Sequence, residues 1–225
     1  MAGASAQAPS PRREGFGYLC RRCLSCCHHK HIQLNPYEVA RLARNRSVTT
    51  TEFRAAWTED GQGLVLRRTD AGACIFLGAA GCTVYPDRPL VCRLYPLGRH
   101  VLADGSESFS HLEPHPQSRG EVTGAGTIAD FLEAQHAGPF MQAADGYFFW
   151  LTRALDYLGI SDTDAANMSG EAAEEAHDLL DMDAAIARHS MVASIPEPTD
   201  IETRKELHLA ILYQQLGTSS GERHE

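Results

Sequence analysis

Four cysteines within eight residues constrain this chain more than any other feature. The run Cys20-Arg-Arg-Cys23-Leu-Ser-Cys26-Cys27 contains two successive two-residue gaps. Such spacing brings three sulfurs close enough to share one metal, as zinc and iron-sulfur sites require. Adjacent residues rarely aim both side chains at one ion, so Cys27 is expected to serve a second site or to close the first from its other side. Three more cysteines follow at Cys74, Cys82 and Cys92. Seven is an odd number, and all seven lie between residues 20 and 92, a pattern unlike a secreted disulfide scaffold. Tetrahedral thiolate sites take four ligands each, so seven sulfurs fall one short of two complete sites. Histidine is the simplest eighth donor, and His28, His29, His31, His111 and His115 are the nearby candidates.

Redox compartment decides how such thiols are read. No stretch reaches the roughly 20 uninterrupted apolar residues that a helical membrane span needs. Residues 1–14 lack the apolar core of a secretory signal. The chain is therefore expected in the cytoplasm, away from membranes, with its thiols reduced and available to metal. Residues 1–100 carry 14 Lys and Arg against 7 Asp and Glu, whereas residues 101–225 carry 6 against 22. A basic half can signal nucleic acid, but no basic motif or interleaved aromatic platform accompanies it, so nucleic-acid binding is not expected. The arginines have another use, which is to offset the charge of clustered thiolates.

The sequence predicts an α+β fold: a small, loop-rich core centred on cysteines and metal, with short antiparallel strands, followed by an α-helical C-terminal part. Three regions are expected, namely a disordered leader over 1–15, a metal-binding domain over 16–160 and an acidic helical extension over 161–225. Asn35-Pro36 has the form of a helix start, leading into Tyr37 to Arg46. A second helix is expected over Thr51 to Thr58. Short strands are expected at Leu64 to Arg68, Cys74 to Leu77 and Cys82 to Tyr85. Asp104-Gly105 should turn a hairpin between Arg99 to Ala103 and Glu107 to Leu112. Helices are expected over Thr127 to Ala137, Pro139 to Leu158, Glu171 to Met191 and Thr199 to Leu216, with a polar break over Ser161 to Gly170. Gly124-Ala-Gly126 reads as a turn.

The stretch Tyr85-Pro-Asp-Arg88-Pro89-Leu-Val-Cys92-Arg93-Leu-Tyr95-Pro96 completes a wider pattern. Together with the opening cysteine block, Cys74-Ile-Phe-Leu and Gly81-Cys82-Thr-Val-Tyr, it resembles the YkgJ-like cysteine-cluster family, the CxxCxxCC type, described as chelating zinc or iron. The resemblance covers about residues 16 to 150. It implies a metal set of Cys20, Cys23, Cys26, Cys27, Cys74, Cys82 and Cys92. Members of that family typically place an eighth cysteine downstream in a Cys-Pro-Gly setting, where this chain has His115-Pro116, so His115 is expected as the remaining ligand. Arg88 and Arg93 are expected around the ligands, since guanidinium offers charge and hydrogen-bond donors without deprotonating.

Three functions compete at this stage. The first is a non-enzymatic metalloprotein with a structural or redox role, holding zinc or an iron-sulfur cluster. The second is an enzyme resembling the flagellin lysine N-methylases, but the sequence shows no αβα succession for a methyltransferase sheet. The third is an interaction module whose acidic helical tail docks an unknown protein partner.

Overall fold

The computed structural model describes residues 10–59, 64–161 and 178–218. In chain order the elements are β1 (Gly15–Leu19), α1 (Pro36–Arg46), α2 (Thr50–Trp57), β2 (Leu77–Gly78), β3 (Gly81–Cys82), α3 (Leu90–Leu94), β4 (Leu97–Val101), β5 (Glu107–His111), β6 (Glu121–Thr127), α4 (Ile128–Ala134), α5 (Gly138–Leu158), α6 (Met182–Ala193) and α7 (Ile201–Thr218). The mixture of helices and short antiparallel pairs is the α+β fold expected, with a helical C-terminal part. The described residues fall into two compact units interleaved along the chain. One draws on Met1–Ile32 and Arg68–Met141, the other on Gln33–Arg67 and Gln142–Glu225.

The first unit is built on three two-stranded antiparallel sheets. Asp104-Gly105 turns the β4–β5 hairpin as expected: Gly105 sits at φ 81, and the Asp104 carboxylate accepts the Ser106 amide at 2.8 Å. The ladder then runs without a slip from Leu97 opposite His111 to Val101 opposite Glu107. Its inward residues Leu97 and Phe109 join Phe16, Leu94, Ile128, Phe131, Leu132, Ala137 and Met141 in one apolar core. The expected leader lies outside the described residues through residue 9. From Ser10 onward the chain is held: Ser10 pairs with Phe109, and Arg12 shares Glu107 with Arg99.

Two local expectations are corrected here. Gly124-Ala-Gly126 is not a turn but part of β6, which pairs with β1 through Gly17–Thr123, Tyr18–Val122 and Leu19–Glu121. The expected strands around Cys74 and Cys82 shrink to the two-residue pair Leu77–Gly78 and Gly81–Cys82, and Leu64 to Arg68 contributes only isolated bridges. The Cys74 amide donates to the Cys27 carbonyl and the amides of Phe76 and Val84 turn toward the sulfurs of Cys74 and Cys82 instead of joining a ladder.

The second unit is helical. Asn35 caps α1 reciprocally with Glu38, as the Asn-Pro signal suggested, and Thr49 caps α2 with Glu52 in the same manner. Of the helix expected over Glu171 to Met191, the opening turns lie outside the described residues, as does the polar break from residue 162. The described part begins anew at Asp181, the N-cap of α6. Among the described residues no helix is long and apolar enough to cross a membrane. In α7, His208 is fully buried, with Nδ1 2.9 Å from the Tyr147 hydroxyl and Nε2 2.8 Å from the Leu179 carbonyl. Burial pulls its pKa from 6.5 down to about 4, although the Leu179 carbonyl opposes this. The folded state thus binds the proton less well than the unfolded chain, so this stability is fully present above pH 6.5 and drains away as pH falls toward 4. The expected loss is on the order of 3 kcal/mol. Urea melts at pH 7 and pH 4.5 measure it, and His208→Gln should flatten the difference.

Candidate metal centre

The opening cysteine block is coiled by backbone geometry that side-chain-bearing residues seldom adopt. Arg22, Leu24 and His29 have φ of 48°, 66° and 55°, in the left-handed region that costs a non-glycine residue about 1 kcal/mol. Between them Ser25–Cys27 form a single 3-10 turn, closed by the Cys27 amide on the Leu24 carbonyl at 2.9 Å. Strained conformations of this kind persist where surrounding structure fixes them, and they gather at functional sites. Here they wind a strand end into a compact loop that carries four thiols.

The later cysteines return to that loop. The Cys74 amide donates to the Cys27 carbonyl at 2.8 Å, the His29 amide donates to Gly72, and His28 bridges Ala73. Gly72 is required at φ 77, with the His29 imidazole packed where a Cβ would stand. Cys82 lies on the β2–β3 hairpin opposite Leu77, and Cys92 lies on the short helix α3 that follows Pro89. The segment after His115 closes the other side: Ser25 donates to the Gln117 carbonyl at 3.1 Å, and the Arg119 amide reaches Cys23 Sγ at 3.4 Å. Gly120 packs so closely on the Tyr18 ring that a side chain there would collide with it. Cys74 and the segment after His115 are therefore brought back onto the first block. Cys20 and Cys92 are exposed, the other five are partly buried, and no disulfide joins any of them. Among the described residues, no three His, Cys, Asp or Glu side chains are closed to metal-ligand geometry.

The chemistry of the donors suits a thiophilic cation. Cys26 falls to about 6 because the Cys27 thiol donates to it, with Lys30 adding a smaller pull, and Cys27 is raised in consequence. Cys23 falls to about 7, first through the Arg119 amide and then through the amide of Ser25. Burial raises Cys74 and Cys82, while the amides of Phe76 and Val84 oppose it. Three sulfurs far apart in sequence thus each accept the amide two residues on, from Ser25, Phe76 and Val84. That contact lowers the cost of the thiolate, the form that binds metal, and it prevails at Cys23, whereas at Cys74 and Cys82 it only offsets part of the larger effect of burial. Cys27 is in turn acted on by Cys92 and Cys74, and Cys82 by Cys26, so one electrostatic neighbourhood links the two ends of the set.

Arg88 and Arg93 hold the frame of this neighbourhood. Arg93, only 3% exposed, donates to the carbonyls of Arg88, Gln135 and Pro86 and lies over the Phe140 ring at 3.8 Å. It ties the loop before Cys92 to the end of α4. Arg88 donates to the Tyr85 carbonyl and the Gln135 side chain, and its charge acts on Cys82. His115 donates its amide to the Tyr95 hydroxyl at 2.8 Å, and its Nδ1 accepts the Gln117 amide at 3.1 Å. With Nδ1 accepting, the neutral ring carries its proton on Nε2, so ligation through Nε2 would require the other tautomer and loss of the Gln117 contact. If His115 is the eighth ligand, His115→Ala should lower bound metal by a fraction of an equivalent or more, read by elemental analysis; unchanged stoichiometry removes it from the set. Sequence reasoning missed Lys30, Tyr95 and the amide of Arg119. Lys30 carried a signal as a cation three residues beyond the Cys-Cys pair, and Tyr95 carried one as part of the stretch around Cys92.

The clustered cysteines have the donor chemistry of a metal-chelating protein. More particularly, residues 19–114 match the CxxCxxCC family model, the "Putative zinc- or iron-chelating domain". The match takes in all seven cysteines, with Arg88 and Arg93, and ends one residue before His115. No curated protein and no solved structure matches the chain.

Proposed function

We propose that this protein holds zinc or an iron-sulfur cluster through Cys20, Cys23, Cys26, Cys27, Cys74, Cys82 and Cys92, with His115 as the eighth ligand. Its role is structural or redox, not catalytic, and it acts in the cytoplasm. The observation that carries this reading is the return of later segments onto the opening cysteine block, with the Cys74 amide on the Cys27 carbonyl at 2.8 Å and the Arg119 amide on Cys23 Sγ at 3.4 Å. A bound cation would supply the folding energy that the two-residue β2–β3 sheet and its few apolar neighbours lack. An enzyme of the methylase kind is not favoured, because Gly124 and Gly126 lie in an antiparallel strand and not in a loop opening a helix.

The test is purification without oxygen, followed by iron, zinc and sulfide analysis and a visible spectrum. Stoichiometric zinc in a colourless protein assigns the structural form. Brown protein with iron and acid-labile sulfide assigns the cluster. Folded protein without metal overturns the reading.

A further inference from the structure

Among the described residues, Lys30 sits beside the opening cysteine block without a salt bridge to any carboxylate. Lys30 lies three residues beyond Cys27, and its ammonium rests on the face of Tyr95, 3.6 Å from the ring centroid. Tyr95 itself lies three residues beyond Cys92. Its ring is braced edge-on by Tyr18 at 6.1 Å, and its hydroxyl accepts the His115 amide. The platform under Lys30 is therefore fixed by β1, by the chain end of α3 and by the segment that carries the proposed eighth ligand. The charges that face Lys30 are the sulfurs of Cys26, Cys92 and Cys27.

This placement has an energetic logic. A lysine held on an aromatic face keeps its charge while giving up part of its hydration. Four thiolates around a divalent ion leave a net double negative charge, and burying such a site requires a compensating cation nearby. The surface arginines of the block do not fill this position: Arg21 is paired with Glu121, and Arg22 lies over Tyr85.

Resting on the metal-binding reading above, we propose that Lys30 is a positioning residue for the metal centre, a fixed counter-cation seated on Tyr95 that raises the affinity of the thiolate set for its metal. It does not ligate. It lowers the electrostatic cost of assembling several thiolates, and in an iron-sulfur protein the same charge would favour the reduced cluster.

The test uses the metal-loaded full chain. Wild type, Lys30→Met and Lys30→Arg are titrated with a chromogenic chelator, and released zinc or iron is followed by absorbance. Lys30→Met should keep the wild-type stoichiometry but surrender metal about ten- to a hundredfold more readily, the range found for residues that support ligands without touching the ion. Lys30→Arg, which restores the charge, should stay within about threefold of wild type. Lys30→Gln gives a second neutral variant should Met disturb folding, and its outcome should follow Met. Equal metal retention by wild type and a folded neutral variant overturns this inference alone. Equal weakening by Arg and Met also overturns it, because shape and not charge would then matter. A wild type that holds no metal overturns both this inference and the reading beneath it.

Discussion

Cys27→Ser is expected to strip at least one equivalent of metal from the protein while leaving the second unit folded. The change keeps the Cys27 carbonyl that receives the Cys74 amide, so the backbone frame survives. Two things are lost at the sulfur. One donor disappears, and Cys26 loses the thiol hydrogen bond that is the main cause of its depressed pKa, so it rises back toward the ordinary thiol range. At neutral pH the site then has one ligand fewer and a second that is less ionised. Binding of a structural ion to such a ligand set is worth about 10–16 kcal/mol, so losing even part of it should exceed any packing change in this unit. Elemental analysis reads the loss of metal, and hydrogen exchange should show faster amide exchange over residues 72–92. Full occupancy with unchanged exchange would remove Cys27 from the ligand set.

The second large effect is expected far from the sulfurs. Asp181 is 4% exposed, and its carboxylate gathers the hydroxyls of Thr50 at 2.6 Å and Thr51 at 2.7 Å, the amide of Ala184 at 3.3 Å and the guanidinium of Arg54 at 3.5 Å. One side chain thus caps α6 and ties it to the first turns of α2. Asp181→Ala removes the cap and takes away the carboxylate beside a buried arginine, which commonly costs about 3–5 kcal/mol. Urea denaturation at neutral pH measures it. Asp181→Asn retains the acceptor and should cost less, and metal content should stay at the wild-type level in both.

Much of the architecture was written in short-range signals. Asn35 with Pro36 and Asp104-Gly105 each fix one local conformation by chemistry within a few residues, and each element formed where its signal stood. The gathering of the cysteines was legible because the combined spacing is specific, even though no single piece of it is. The β1–β6 pair was not legible. Gly15, Gly17, Gly124 and Gly126 interrupt any alternation of apolar and polar residues, and partners such as Tyr18 and Val122 are too far apart for turn chemistry to announce. The collapse of the expected strands at Cys74 and Cys82 was hidden for a different reason. Their β-branched and aromatic residues favour extension, but amides drawn toward sulfur override that propensity. Lys30 was overlooked because its role depends on a ring 65 positions later in the chain.

The interleaving of the two units has a consequence for how the molecule is made. The first four thiols leave the ribosome long before β6 and the Ser118–Gly120 turn that shelters them have been synthesised. At about 5–20 residues per second, the nascent chain carries that block uncovered for roughly 5–20 s. During this interval oxidants and competing ions meet it first, so the order of synthesis makes delivery of the proper metal a race against both.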